Sequence, residues 1–179
     1  MDFTCVFDSK GVQLFIFAII EAPSRRLVLI NSTANPTKEW LIQQFRSCCI
    51  SGHVFPDAMM HDRDGVYGQW LADLLKEFDC ISAKTPPRSP WANPFIERFW
   101  GSLKREMLDR VNIVNNDHAR ELSLEYLKYY NQDRPHQGIN GRIPGQSSPG
   151  NQKVSNSDVF KVKKIRKISG LVTQFALAS

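Results

Sequence analysis

An α/β fold, with helices packed on the faces of a mixed sheet, is predicted by three features of this 179-residue chain. Three strand-like runs follow one another within the first thirty-one residues. Short apolar runs then alternate with stripes of helical period. The last long elements before a Gly-, Pro-, Ser- and Asn-rich stretch are both helical. Strands first, then strands alternating with helices, is the order of a sheet covered by helices rather than of a bundle or a sandwich.

The elements follow in order. Asp2 to Phe7 reads as a strand, and Val12 to Ile20 (VQLFIFAII) as a stronger one, dense in residues that fit a pleated, buried surface. Arg26 to Asn31 (RLVLIN) comes after the Pro23-Ser24 turn signal, so three antiparallel strands are expected. Asn35 and Pro36 read as N-cap and first residue of a helix whose apolar positions are Trp40, Leu41, Phe45, Cys48 and Cys49. Asp57 to His61 has strand length. Tyr67 to Phe78 carries one helical stripe of Trp70, Leu71, Leu74, Leu75 and Phe78, and Cys80 to Ala83 is a further short strand. Pro86, Pro87 and Pro90 punctuate a loop, Pro94 opens a helix reaching Asp109, and another helix spans about Asp117 to Asn131. From Gly138 to about Asp158 the composition becomes that of a linker. Beyond it Lys161, Lys163, Lys164, Arg166 and Lys167 alternate with Val162, Ile165 and Ile168, as on a strand with one basic face. The expected division is a core over 1–140 and, over 141–179, a linker and basic tail with room for a small β-structure.

Composition narrows the class. Hydrophobic residues make up 42% and charged residues 23%, an ordinary soluble globular balance. The net charge of +5 suits a protein that handles a polyanion without requiring one. Asp2, Asp8 and Lys10 break any leader-like apolar run, and Leu14 to Ile20 is far short of the roughly 20 residues a membrane helix needs, so no membrane partner is expected. Cys5, Cys48, Cys49 and Cys80 form no CxxC pair and no zinc spacing, which reads as buried thiols in a reducing cytoplasm.

Three carboxylates stand at ends of elements where a site could form: Asp2 in the first strand, Asp62 after the strand ending at His61, and Glu97 in the first turns of the helix opened by Pro94. Singly each has a structural explanation, as a turn residue or a partner of a helix dipole. Jointly they resemble the retroviral-integrase-like catalytic core of bacterial insertion-sequence transposases. Asp2-Phe3-Thr4 resembles that family's Asp-x-Thr, and His61-Asp62-Arg63-Asp64-Gly65 with Tyr67 its second acidic motif. Ser89-Pro90-Trp91-Ala92-Asn93-Pro94-Phe95-Ile96-Glu97 resembles its third. Asp62 and Glu97 are 97 − 62 = 35 positions apart, close to the separation that names the DDE family. Tyr130-Asn131 and Arg134-Pro135-His136 resemble a further signature. Asp64, 97 − 64 = 33 positions before Glu97, competes with Asp62, and Asp8 is a weaker rival to Asp2.

What the resemblance implies is a ribonuclease H-like mixed sheet of five strands with helices on both faces. It also implies a polynucleotidyl transferase that cuts and joins DNA, with Asp2, Asp62 and Glu97 holding two magnesium (or manganese) ions. Hard cations take oxygen ligands, and two of them can activate the attacking hydroxyl and stabilise the leaving oxygen. Lys104, two helical turns after Glu97 and on its face, is expected at a DNA phosphate, with Arg105 as a neighbouring contact. Magnesium matches imidazole poorly, so His61 and His136 are read as structural, and Trp40, Trp70, Trp91 and Trp100 as core or interface. Element ends and target DNA are the implied partners, together with further copies of the chain, in a bacterial cytoplasm. Full-length relatives carry an N-terminal recognition domain, so this core is expected to be N-terminally truncated. The rival readings are an inactive copy that binds DNA or partners and a ribonuclease H-like nuclease that cuts without joining.

Overall fold

The computed structural model describes residues 1–52, 54–86, 93–144 and 162–177. Strands β1 (Asp2–Phe7), β2 (Gln13–Ile20) and β3 (Leu27–Thr33) form an antiparallel sheet in the order β1-β2-β3, as the apolar runs predict. Helix α1 (Lys38–Ile50) follows, then β4 (Ala58–His61), α2 (Gln69–Lys76) and β5 (Ile81–Lys84), with β4 and β5 paired in parallel. Helices α3 (Pro94–Glu106) and α4 (Asn116–Gln132) complete the layers.

β2 explains why helices cover both faces. Its residues alternate sides, so Ile16 and Ala18 pack with Ile96, Phe99 and Leu103 of α3 and Leu122, Tyr126 and Tyr130 of α4. Phe17 and Ile19 face the opposite way, against Leu41, Phe45 and Cys48 of α1 and Leu71 and Leu75 of α2. A strand buried on both faces has no polar side to show, which is why VQLFIFAII reads as one apolar run. Each fully buried large side chain in these layers contributes about 1.5–3 kcal/mol of hydrophobic stabilisation.

Between the three-stranded and two-stranded sheets no ladder forms among the described residues. The join is a single bond, from the Met1 amino group to the Met60 carbonyl at 2.8 Å. Met1 is buried at 4% exposure among residues of β2, β4, α1 and α2. The start of β1 therefore lies beside β4.

Several local expectations are corrected. α1 begins at Lys38, not Pro36: the Thr33 side chain and the Thr37 amide occupy the backbone of Asn35, and Thr37 Oγ1 accepts from the Trp40 amide as the N-cap. Tyr67 belongs to a separate 3-10 turn, Gly65–Tyr67, capped by Asp64. α3 stops at Glu106 and the chain continues as a 3-10 turn, Leu108–Arg110. Cys5 and Cys49 are exposed rather than buried, because Cys5 points out of β1 and Cys49 sits one residue round the helix from buried Cys48. Of the expected linker, residues 145–158 lie outside the described residues, as does Lys161.

β6 (Val162–Lys167) pairs with β7 (Val172–Leu177) in an antiparallel hairpin. The expected solvent-facing basic strand is partly tied down. Lys167 Nζ lies 3.1 Å from Asp133 Oδ2, and Ile168, at φ +53° in the hairpin turn, is buried in the α3/α4 core.

Candidate active site

Asp2 and Asp62 come from positions 62 − 2 = 60 apart and meet where β1 starts and β4 ends. Asp2 is half-buried, and Trp100 Nε1 of α3 donates to its Oδ2 at 3.0 Å. Burial raises the Asp2 carboxyl above the ordinary carboxylate range, the hydrogen bonds from Trp100 and from the Phe3 amide lower it, and the Asp62 charge raises it further. A like charge close enough to act on a half-buried carboxyl disfavours its charged form, and a cation would offset that effect.

The second acidic motif separates its two aspartates by geometry. Asp62 Oδ1 accepts the Asp64 amide at 3.0 Å, which closes a turn and keeps its carboxylate beside Asp2. Asp64 is exposed and its Oδ1 accepts the Val66 amide at 3.1 Å, capping the 3-10 turn. Asp8, the rival to Asp2, accepts the amides of Lys10 and Val12 at 2.8 Å each and holds the β1–β2 turn. It stands at the far end of a six-residue strand, about 20 Å from Asp2.

Glu97 is exposed in the first turn of α3, one turn before Trp100 on the same side of the helix. Among the described residues no three His, Cys, Asp or Glu side chains form a group that could hold an ion. The Ser89 to Ala92 portion of the third motif lies outside the described residues. The pair itself suits a hydrated hard cation. Both groups are oxygen donors, and the Tyr67 hydroxyl, acted on by the Asp2, Asp62 and Asp64 charges, is buried with no hydrogen-bond partner among the described residues.

Lys104 and Arg105 do not act on one surface. Lys104, about 10 Å along α3 from Glu97, borders a cavity at the other end of β1 with Cys5 to Ser9. Arg105, about 100° round the helix from Lys104, borders a different cavity, shared with Arg25, Arg98 and Arg134. Sequence reasoning missed this arginine cavity and the Trp100–Asp2 bond. The spacing of Trp100, three after Glu97, was the available signal for the bond.

The histidines are structural. His61 is fully buried, with Nδ1 at 2.7 Å from the Asp62 carbonyl and Nε2 at 2.9 Å from Ser82 Oγ, and burial holds its pKa below the usual value. His136 Nε2 lies 3.2 Å from the Tyr130 carbonyl. The Tyr130–His136 signature is a clasp: Tyr130 packs on Phe99, Arg134 binds Glu106 at 2.7–3.1 Å, and the Asn131 side chain bonds both backbone groups of Leu27. It supplies no reacting group and holds α4 against α3 and β3.

With the site described, known proteins can be compared. The fold is that of a retroviral integrase catalytic core. The HTLV-2 integrase catalytic core domain in complex with magnesium, in its trimeric form, superposes with a TM-score of 0.58 at 15% identity, over 80% of this chain and 90% of that one. A chain of the simian T-cell lymphotropic virus intasome in complex with PP2A regulatory subunit B56 gamma superposes at a TM-score of 0.64 and 15% identity, over 91% of this chain and 59% of that chain. In sequence, residues 81–144 match the integrase core domain family. The chain is also 23% identical over 148 residues to the transposase for insertion sequence element IS904 of Lactococcus lactis, covering 80% of this chain and 57% of that protein. It thus spans under three fifths of the length of that transposase. No helix among the described residues is long and apolar enough to cross a membrane.

Proposed function

We propose that this chain is the catalytic core of a DDE-type transposase, which cuts DNA at an element's ends and joins those ends to target DNA. The observation that carries the reading is the approach of Asp2, at the start of β1, to Asp62, just after β4, with burial chiefly and the Asp62 charge to a lesser degree raising Asp2. Asp2, Asp62 and Glu97 are the metal-holding carboxylates, and Asp62 rather than Asp64 is the second of them because Asp64 serves as a cap. Glu97 is supported by its place one turn from Trp100, which already reaches Asp2. The resident cations are two magnesium ions, or manganese, and when bound they activate the attacking hydroxyl and stabilise the leaving oxygen. The chain's own part is to hold the carboxylates rigidly. Trp100 fixes one Asp2 oxygen, the Asp62 turn fixes the other group, and the layers beneath exclude water.

The finer fold reading is a ribonuclease H-like five-stranded sheet, β3-β2-β1-β4-β5, supported by the Met1–Met60 bond between its halves. The core extends over 1–140, with 141–179 as linker and tail. Lys104 and Arg105 bind DNA phosphates, and the working form is a homo-oligomer on DNA.

The test is a magnesium-dependent strand-transfer assay with a pre-cleaved duplex end. Asp62→Asn should lower both cleavage and joining on the order of a thousandfold while DNA affinity, which rests on Lys and Arg, stays unchanged. Joining at full rate in Asp62→Asn overturns the mechanism. Cleavage without joining by the unmodified chain replaces it with a hydrolytic nuclease.

A further inference from the structure

The cavity on the second flank of α3, about 430 Å³, is lined by four arginines from three distant segments: Arg25, Arg98, Arg105 and Arg134. Arg134 is neutralised by two-pronged bonding to Glu106 and forms the fixed wall. Among the described residues no carboxylate lies within ion-pair distance of Arg25, Arg98 or Arg105. Three positive charges thus border one cavity without an internal counter-charge.

Arg25 and Arg105 are placed by contacts with their surroundings, while Arg98 is exposed on α3. Arg25 has φ +63°, a region that residues other than glycine rarely enter, and its guanidinium lies 3.8 Å from the centre of the Phe95 ring. It also donates to the Ala22 carbonyl. Gly138 passes so close that a Cβ there would stand 3.3 Å from Arg25 Nε. Arg105 folds back along α3, where a Cβ on Gly101 would meet its Nη1 at 3.2 Å, and this carries its charge toward Arg98. Guanidinium groups fixed in this way match the oxygens of a phosphate, which accepts paired N–H bonds.

We infer that this cavity binds one backbone phosphodiester of DNA, at a site separate from the carboxylates. The inference rests on the chain being a DNA-acting protein, as proposed above. The Arg98–Arg105 edge lies about 100° around α3 from the Glu97–Lys104 edge, and each is about 10 Å long. A nucleic-acid backbone crossing this helix therefore meets both edges, which favours DNA over a free phosphate as the source.

The experiment measures binding of a labelled duplex by the full 179-residue chain over a series of salt concentrations. Arg98 and Arg105 are both exposed, so R98Q/R105Q should fold, which its thermal unfolding checks. The expected result is affinity about tenfold weaker and a salt slope smaller by about one phosphate contact, with K76Q on α2 changing neither. Unchanged affinity and slope in R98Q/R105Q overturn the inference, together with the phosphate contact proposed for Arg105, and leave the carboxylate mechanism standing. Absence of DNA binding by the unmodified chain sinks the proposed function, and this inference with it. A second arm adds inorganic phosphate. Stabilisation of the unmodified chain but not of R98Q/R105Q, with DNA affinity equal in the two, would assign the cavity to a small phosphate and overturn the DNA source.

Discussion

The two flanks of α3 carry charge on opposite terms. Toward Asp2 and Asp62 the protein has partly buried two carboxylates, and burial raises the Asp2 carboxyl against the hydrogen bonds from Trp100 and the Phe3 amide. Toward Arg25, Arg98 and Arg105 it keeps charge at the surface, where water screens it, and spends its one ion pair on a wall residue. The comparison teaches that the acidic flank is shaped by desolvation, whereas the basic flank is shaped by positioning. One helix serves both because its buried stripe of Ile96, Phe99 and Leu103 is independent of either edge.

Removing that stripe breaks the comparison altogether. Phe99→Ala, at a residue 1% exposed, should cost about 3–5 kcal/mol of stability and abolish both cation and DNA binding, read by denaturant unfolding beside the binding assays. Retained binding on either flank would show that the flanks do not share the helix as their support.

Glu106→Gln sharpens the comparison. It removes the anionic partner of Arg134 and weakens the bond from the Tyr126 hydroxyl, so a loss of about 2 kcal/mol is expected. It also frees a fourth positive charge beside the arginine cavity. Binding of duplex should therefore become more salt-dependent while stability falls, and a shallower salt slope would contradict the assignment of Arg134 as a neutral wall.

The smallest effect is on the acidic flank. Because the folded-state pKa of Asp2 is raised, chiefly by burial, its contribution to stability is fully present below its unfolded value and is lost as pH rises through the folded one. Magnesium should therefore raise the Tm more at pH 7 than at pH 4. Asp2→Asn should raise the metal-free Tm at pH 7 by roughly 2 °C and remove the magnesium-dependent gain. An equal magnesium effect at both pH values would mean that Asp2 is not a ligand.

Much of this was legible in residue order. The doubly buried β2 announces itself as an unbroken apolar run, and the stripes of α2 and α3 give their buried faces. Boundaries were less legible where side chains compete for a cap: Asn35-Pro36 has the better local pattern, but Thr33 binds Asn35 and leaves Thr37 to start the helix. Asp2, Asp62 and Asp64 were candidates from their motifs, and the bond from the Val66 amide, which shows Asp64 as the cap of a 3-10 turn, was not legible there. Trp100 escaped because an indole at helical spacing reads as core, which it also is at 8% exposure. The arginine cavity was illegible for another reason. Arg98 and Arg105 share one edge of α3, but residues 25 and 134 join them only through tertiary packing.

Asn131 has one further consequence. Its side-chain amide accepts the Leu27 N–H at 2.9 Å and donates to the Leu27 carbonyl at 2.8 Å, so it imitates a neighbouring strand at the first residue of β3. A single side chain thereby plugs the hydrogen-bonding rail of an edge strand at the point where a foreign peptide or a second molecule would begin to zip on. The plug arrives from 104 positions downstream. A nascent or partly unfolded chain lacks it until α4 docks, and the interval before docking is when this protein is most exposed to aggregation through β3.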